Sequence, residues 1–357
     1  MAHRPSVSTL GTRGGASRRR LFALLLVAAG GLLGCQKPPP SEEKAADTAS
    51  AAAPAKAAEP AAAMGPLNVA YNQWVGFAGM YIADELGLFK NHGVEVKLAS
   101  FSGPGDSIPP LLAGQIDLSL TTANNLALIA GKQATLAKIV YVIDASDGAD
   151  AIVATKAVKT IADLKGKKVA VTKGEINEML LTLGLESVKL SEKDITLVDM
   201  SPDDAGAAFM AGKVDAAVTW EPWVSRAAEK IGHIVYSSKE PGAKDALIDV
   251  MAASDKALKT RSADIEKFVT AYDEGVGMLK SDPEKCKAIL AKRLEAKPDD
   301  VTGMLSGAKI YTRAENKQLL TDVLPATLVK IDSFLRSHSL TTTQVGTELI
   351  ARNIVSP

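Results

Sequence analysis

Residues 104–122 and 202–220 carry the same pattern of residue types with the same spacing. The identical positions are Pro104 and Pro202, Asp106 and Asp204, Ala113-Gly114 and Ala211-Gly212, Asp117 and Asp215, and Thr121 and Thr219. Each copy reads as a loop, a helix that ends at Gly, a polar turn and a strand that ends in Thr. A weaker match relates residues 69–71 to 169–171. The pattern predicts two halves that share one βαβαβ plan.

Short strand-like apolar runs alternate with helical stretches along the rest of the chain. The predicted strands are 67–71, 94–100, 116–120, 139–143, 169–171, 195–199 and 214–219, and two of the predicted helices are 78–86 and 177–183. This alternation is typical of an α/β fold with mostly parallel sheets. Roughly 290 residues after the N-terminal region suit two lobes better than one compact domain.

The N-terminal residues read as an export signal. Arg18-Arg19-Arg20 precede an apolar run, residues 21–33, that is too short to span a membrane. The run ends in Leu32-Leu33-Gly34-Cys35, which resembles a bacterial lipobox. That resemblance implies that residues 1–34 are removed and that Cys35 is lipidated. The residues around the arginines also loosely resemble a twin-arginine signal, so the export route stays open.

Residues 35–65 are predicted to be a disordered tether, because almost all of them are Ala, Pro, Glu, Lys, Ser or Asp. Without residues 1–34 the net charge falls from zero to about −5, which argues against a nucleic-acid partner. Cys286 is the one cysteine after Cys35, and the four histidines are scattered. The sequence therefore predicts no disulfide, no metal site, no catalytic residue and no cofactor.

Ligands of open α/β sheets bind beyond the carboxyl ends of the strands. In the first half this rule selects loops 72–79, 102–107 and 121–125, and in the second half loops 173–178, 201–204 and 219–223. Strand ends that face each other would form a cleft, with the N-termini of helices directed into it.

Several motifs together resemble the solute-binding proteins of ABC importers, in the nitrate/sulfonate/taurine branch, whose fold is shared with the yeast thiamine-pyrimidine synthases. The resemblance covers essentially all of residues 66–355. Its motifs are Trp74-Val75-Gly76-Phe77, Ile82-Ala83-Asp84-Glu85-Leu86-Gly87-Leu88-Phe89, Leu112-Ala113-Gly114-Gln115-Ile116-Asp117, residues 163–171, residues 211–217 and Trp220-Glu221-Pro222.

The resemblance implies a type II periplasmic-binding fold, with two α/β lobes, two crossing segments and a ligand cleft between the lobes. Lobe 1 would combine residues 66–152 with 250–357, and lobe 2 would span 153–249. The crossings are expected near residues 150–155 and 247–252. The function implied is a non-catalytic, monomeric receptor that carries a small solute to a permease in the inner membrane. It would work in the periplasm or at the cell surface, lipid-anchored to a bacterial membrane.

Eleven residues are candidate ligand contacts. They are Trp74, Gly76, Phe77, Thr121, Thr122 and Asn124 in the first half, and Glu175, Glu178, Trp220, Glu221 and Asp249 in the second half and its return crossing. Trp rings can stack on a ligand, Gly admits it to the backbone, and hydroxyl and amide groups donate hydrogen bonds. Trp223 is expected to support Trp220 from behind, and Arg226 to lie at the surface or between the lobes.

Lys173 is the one basic residue of the six loops, whereas Glu175, Glu178 and Glu221 there, and Asp249, are acidic. A doubly charged anion such as sulfate is therefore poorly supported, and nitrate is disfavoured. A zwitterion with an ammonium group, or a neutral amine-bearing or ring compound, suits acids and aromatic rings better. A taurine-like sulfonate and a pyrimidine precursor of thiamine both meet that description. An enzyme like the pyrimidine synthases is disfavoured, because their cysteine-rich motif and active-site histidines are missing from these loops. Retention in the inner or the outer membrane stays open.

Overall fold

The structure is a computed structural model that describes residues 64–132 and 137–351. The predicted signal peptide, the lipidated Cys35 and most of the predicted tether lie outside these residues. The strands are β1 (Leu67–Asn72), β2 (Val96–Phe101), β3 (Leu118–Thr122), β4 (Ala137–Ser146), β5 (Asp150–Thr155), β6 (Lys168–Val171), β7 (Thr196–Asp199), β8 (Ala216–Trp220), β9 (Gly232–Ser237), β10 (Ile248–Ser254) and β11 (Ala308–Ile310).

Thirteen α-helices lie in the described residues. They are α1 (Ala78–Glu85), α2 (Leu88–Asn91), α3 (Ile108–Leu112), α4 (Ala123–Ala130), α5 (Ile176–Ser187), α6 (Pro202–Met210), α7 (Trp223–Lys230), α8 (Asp255–Thr260), α9 (Ser262–Ser281), α10 (Pro283–Arg293), α11 (Pro298–Ser306), α12 (Arg313–Gln318) and α13 (Leu324–Ser337). Short 3-10 helices, such as Val75–Phe77 and Pro104–Ser107, connect strands to helices.

The strands form two sheets with the same central order. The first sheet runs β11-β4-β10-β3-β1-β2 and the second β7-β6-β8-β5-β9. In each, three strands are parallel, β2-β1-β3 or β7-β6-β8, and the next strand, β10 or β5, is antiparallel to both of its neighbours. We call the halves built on these sheets lobe 1 and lobe 2.

Hydrogen bonds repeat between the lobes as the sequence does. The Thr121 hydroxyl donates to the Pro104 carbonyl at 2.9 Å, and the Thr219 hydroxyl donates to the Pro202 carbonyl at 2.7 Å. Gly114 and Gly212 have φ values of 66° and 68°, the left-handed region that glycine adopts without strain. The two copies are therefore equivalent in three dimensions as well as in sequence.

The chain passes from the first sheet to the second at residues 147–149 and returns at 238–247. The expected crossing segments, residues 150–155 and 247–252, lie largely within β5 and β10, which are central strands. Their sequences are rich in Ala and so give a weak strand signal, but both strands are buried between two neighbours. The lobe boundaries at 152/153 and 249/250 stay a prediction.

The C-terminal helices pack on lobe 1. Phe268 of α9 stacks on Phe89 of α2 with ring centroids 4.7 Å apart. A Cβ atom on Gly275 of α9 would lie 2.4 Å from the Gly79 carbonyl oxygen of α1, so glycine is required for this close contact between helices. These contacts fix the back of lobe 1 and leave its strand ends facing lobe 2.

Candidate functional site

A narrow cavity lies where the strand ends of the two lobes meet. Both lobes line it, with Asn72, Trp74, Pro104, Thr122, Leu247 and Asp249 on the lobe 1 side and Asp150, Ile176 and Trp220 on the lobe 2 side. Its volume is about 10 Å³, roughly the space for one water molecule. A solute of several heavy atoms therefore enters only if the lobes, or the side chains between them, move apart.

Two tryptophans meet across this cavity. The ring centroids of Trp74 and Trp220 are 6.2 Å apart, with an interplanar angle of 58°. The Trp74 indole N–H donates to Asp144 Oδ2 at 3.1 Å, and the Trp220 indole N–H donates to Asp203 Oδ1 at 3.2 Å. Because carboxylates on their own sides of the cleft hold both N–H groups, the tryptophans offer their ring surfaces to a ligand.

Three aspartates lie close together at the cavity, and two of them, Asp150 and Asp249, line it. Asp249 of β10 lies opposite both Thr122 of β3 and Asp144 of β4, so these side chains share one face of the first sheet. Asp150 lies opposite Trp220 at the start of β5 in the second sheet. Because Thr122 and Trp220 are repeat partners, Asp249 and Asp150 occupy equivalent positions. None of the three aspartates forms an ion pair within the described residues.

Burial makes these carboxyl groups hard to ionise. It raises the pKa of Asp150 to about 7, although a hydrogen bond with Ser146 opposes the rise. Burial also raises the pKa of Asp144, despite the hydrogen bond from Trp74. The pKa of Asp249 is raised well above its ordinary value by burial and by the charges of Asp144 and Asp150. A positive charge in the cavity would favour the ionised forms.

Several buried polar atoms around the cleft have no hydrogen-bond partner in the described part of the chain. They are Asn72 Oδ1, Asp144 Oδ1, Glu175 Oε2 and both polar atoms of the Asn124 side chain. Buried polar atoms are normally hydrogen-bonded, so these are candidates to bind a ligand. All four residues present an unpartnered acceptor, and Asn124 also presents an unpartnered donor.

Four of the predicted contacts, Trp74, Thr122, Trp220 and Asp249, line the cavity. Thr122 also accepts a hydrogen bond from the Asn125 N–H, which caps α4. The Glu175 carboxylate reaches across from lobe 2, and a Cβ atom on Gly105 would lie 2.4 Å from its Oε1. Burial raises the pKa of Glu175 to about 7, and the nearby Asp106 charge adds to the rise.

Gly76, Phe77 and Thr121 lie behind the cavity surface instead. Phe77 and Thr121 are fully buried, Phe77 in the lobe 1 core and Thr121 bound to the Pro104 carbonyl. A Cβ atom on Gly76 would lie 2.1 Å from Asp144 Oδ2, so this glycine makes room for the Trp74–Asp144 pair. The structure does not support a direct ligand contact for these three residues.

Glu178 and Glu221 are engaged in local hydrogen bonds. Glu178 Oε2 accepts from the Gly174 N–H at 2.7 Å, and Glu221 accepts from the backbone and the hydroxyl of Ser225. Both carboxylates therefore stabilise the start of a helix, α5 or α7. The structure favours this role over the ligand contact predicted for them, because neither residue lines the cavity.

Trp223 and Arg226 lie outside the cavity. The Trp223 indole N–H donates to Asp203 Oδ1 at 2.9 Å, so it shares this acceptor with Trp220. The Arg226 guanidinium lies 5.2 Å from the centroid of the Trp223 ring and donates to the Glu295 carbonyl. Trp223 thus supports Trp220 through a common partner.

Asn72, Asp144 and Asp150 were missed as site residues. Asn72 belongs to a loop that the strand-end rule selects, and Asp144 follows the predicted strand 139–143 directly. Asp150 has no such signal, because it stands at the start of an antiparallel strand. Only the pairing of β5 with β8 brings it to the same edge as Trp220.

The described residues offer little for metal or thiol chemistry. No group of three or more His, Cys, Asp or Glu side chains among them could hold a metal ion. Cys286 is buried in the core of lobe 1, and burial raises the pKa of its thiol. No helix in the described ranges is both long and apolar enough to cross a membrane.

Relatives with known names share most of this chain. A Brucella abortus protein, named as a binding protein, is 28% identical over 267 residues, which cover 72% of this chain and 77% of that protein. An Escherichia coli protein, named for the binding of aliphatic sulfonates, is 30% identical over 234 residues, 64% of this chain and 71% of that protein.

Solved structures confirm the predicted fold. The alkanesulfonate-binding protein of Xanthomonas axonopodis bound to MOPS superposes with a TM-score of 0.69 at 22% identity, over 82% of this chain and all of that one. The chain therefore has the periplasmic-binding fold, with two sheets and the cleft between them. Residues 74–286, more than half of the chain, match the NMT1/THI5-like family, and this protein belongs to that family.

Proposed function

We propose that this protein is the extracytoplasmic solute-binding receptor of an ABC importer. It would capture a small organic solute, either sulfonate- or taurine-like or a related nitrogen compound, and deliver it to a permease. The cavity built from both lobes is the observation that carries the proposal, because a solute bound there would join the lobes in a closed form. The names of the relatives support the same role.

Binding without catalysis is part of the proposal. Pyrimidine synthases resemble this fold, but the described residues that line the cavity include no Cys, His or Lys that could act as a nucleophile. A pyrimidine precursor of thiamine remains an alternative ligand, and one relative is named as a thiamine biosynthesis protein. Nitrate is a weaker alternative because carboxyl groups surround the cavity.

The proposal places the receptor in the periplasm or at the cell surface, as a monomer attached to a membrane through lipid on Cys35. The lipobox-like sequence and the names of periplasmic relatives support this location. Radiolabelled palmitate should label the wild-type protein but not Cys35→Ser. Equal labelling of both forms would rule out Cys35 as the lipid site.

Thermal unfolding with a solute panel tests the receptor function. Taurine, alkanesulfonates, aminopyrimidines and nitrate would each be added to the protein. At least one should raise the melting temperature, since a ligand at 100 times its Kd adds about 2.7 kcal/mol to the free energy of unfolding. No shift with any of them, for protein shown to be folded, would contradict the proposal.

A matched pair of variants then tests the site. Trp220→Ala should weaken binding of the solute found by this screen by roughly 2 kcal/mol, because Trp220 lines the cavity. Trp223→Ala should have a much smaller effect at equal folded fraction, since Trp223 lies behind Trp220. Isothermal titration calorimetry measures both, and the reverse order would refute this placement of the ligand.

A further inference from the structure

We propose that the cavity recognises a protonated amine, held by Asp144, Asp150 and Asp249, with the body of the solute against the rings of Trp74 and Trp220. This inference rests on the proposed receptor function and narrows its ligand. The preferred solutes are organic cations, or zwitterions whose ammonium group enters the cavity first. A sulfonate or carboxylate without an amine does not satisfy this site.

The charge of the cavity is the first argument. Its lining includes two carboxyl groups, Asp150 and Asp249, and Asp144 lies directly beside Asp249. No Lys, Arg or His belongs to the lining within the part of the chain that the structure describes. An ammonium group would supply the counter-charge that these buried carboxyl groups need in order to ionise, whereas a sulfonate would add a second negative charge and disfavour their ionised forms.

The N-termini of α4 and α5 border the same cavity at Thr122 and Ile176, and they oppose this argument in part. Each helix N-terminus is equivalent to about half a positive charge, and its effect falls off within one turn. Two such ends offset at most about one of the three carboxylates. The balance therefore still favours a cationic group.

Unpartnered acceptors are the second, independent argument. Asn72 Oδ1 and Asp144 Oδ1 have no hydrogen-bond partner among the described residues, and these two residues are 3% and 0% exposed. The side-chain amide groups of Asn124, Asn125 and Asn177, near the start of α4 and α5, are unpartnered donors within the same ranges, but none of these three residues lines the cavity. Asn72 lines the cavity itself. An ammonium group carries three N–H donors and no acceptor, so it matches these oxygens, whereas a sulfonate offers only acceptors.

The tryptophans are the third argument. Both indole N–H groups are already bound to Asp144 and Asp203, so neither is free to donate to an anion. The ring surfaces that remain attract cations and pack well against apolar or flat groups. The two rings therefore suit the body of an organic amine.

Paired probes test the inference by calorimetry on the full-length protein at pH 8. Each pair differs in the amine: taurine against ethanesulfonate, benzylamine against benzyl alcohol, and 5-aminomethylpyrimidine against 5-hydroxymethylpyrimidine. We expect binding from at least one amine, and at least about tenfold weaker binding from its partner. A partner that binds as tightly as its amine, or binding by ethanesulfonate alone, would overturn the inference and leave the receptor function intact. No binding by any probe would overturn both.

Asp249→Asn and Asp204→Asn are the matched variants, since each removes one carboxylate and Asp204 is exposed outside the cavity. Asp249→Asn should weaken binding of the amine at least about tenfold. It should also reduce the difference in affinity between the amine and the paired compound that lacks the amine. Asp204→Asn should leave both affinities unchanged. Urea unfolding verifies that each variant is folded. Unchanged amine binding by folded Asp249→Asn would overturn the inference.

Discussion

The two lobes share the same backbone arrangement and the same supporting hydrogen bonds, but they differ in the residues at the carboxyl ends of their strands. In both, a Thr at the end of the central strand donates to a Pro carbonyl, and an Asp at its start accepts the N–H of the neighbouring strand. One residue beyond the Thr, lobe 1 has Thr122 and lobe 2 has Trp220. The hydrogen bonds that build the sheets are thus repeated, while this lining position is not.

Positions 105 and 203 show the same division of roles. Gly105 in lobe 1 leaves room for the Glu175 carboxylate from lobe 2. Its repeat partner, Asp203, holds the indole N–H groups of both Trp220 and Trp223. The repeat therefore supplies a symmetric scaffold, and substitutions at the ends of its strands and in its loops make the two sides of the cavity different.

The strand-start aspartates should differ most in their effect on stability. Asp117 accepts the Asn68 N–H and also forms a buried ion pair with Arg261 at 3.1 Å, whereas Asp215 accepts the Lys168 N–H and is half-buried. Asp117→Ala should lower the free energy of unfolding by about 3 kcal/mol, because it removes the Arg261 contact and both hydrogen bonds from Asn68, although Asp264 still pairs with Arg261. Asp215→Ala should cost about 1 kcal/mol. Urea unfolding measures both losses, and equal losses would show that the ion pair with Arg261 adds nothing to the free energy of unfolding.

The equivalent aspartates of the cavity, Asp150 and Asp249, should make stability depend on pH. Because folding raises the pKa of Asp150 from 3.8 to about 7, its contribution is present below pH 3.8 and is lost as the pH rises through 7. The unliganded protein should therefore lose stability between pH 5 and pH 8, and Asp249 should act in the same direction.

Asp150→Asn should raise the free energy of unfolding at pH 8 by about 2 kcal/mol and reduce the slope against pH. Part of the pH dependence of the free energy of unfolding should remain in this variant, because burial also raises the pKa values of Asp144 and Glu175. Asp204→Asn serves as the control and should leave the slope unchanged. Urea unfolding across this pH range tests the effect, and an unchanged slope in Asp150→Asn would contradict it.

Thr121 and Thr219 should have the smallest and most equal effects. Both hydroxyls are fully buried and donate to a Pro carbonyl at similar distances. Replacing either Thr by Val should lower the free energy of unfolding by about 1 kcal/mol, because each change removes one buried hydrogen bond. If the two losses in the free energy of unfolding differ by more than about 1 kcal/mol, these equivalent hydrogen bonds do not contribute equally to stability.

Much of the fold could be predicted from the chain alone. Each of the seven predicted strands overlaps a strand of the structure, with ends that shift by a few residues. Four strands were missed. β9 carries the strand-favouring residues Ile234, Val235 and Tyr236 and could have been found, whereas β5, β10 and the three-residue β11 have weak local signals. β5 and β10 gain their stability from neighbours on both sides. Local pattern cannot report such pairing, because the partners are distant in sequence.

The candidate site was only partly predictable for a related reason. Successive side chains of a strand point to opposite faces, so Thr122 and Trp220 line the cavity while their neighbours Thr121 and Thr219 bind backbone within the lobes. The most deeply buried acids at the cavity, Asp144 and Asp150, could not be distinguished in the sequence from acids that cap a helix, such as Glu221.

The sequence by itself determined the repeated plan, the fold class, the family and the aromatic and acidic character of the cleft. These follow from residue types and spacing, which are local. Only the tertiary structure decided which acids stand together, because Asp144, Asp249 and Asp150 belong to three strands in two sheets. Their shared burial sets their pKa values and the charge that the cavity selects, and burial exists only after the strands have paired.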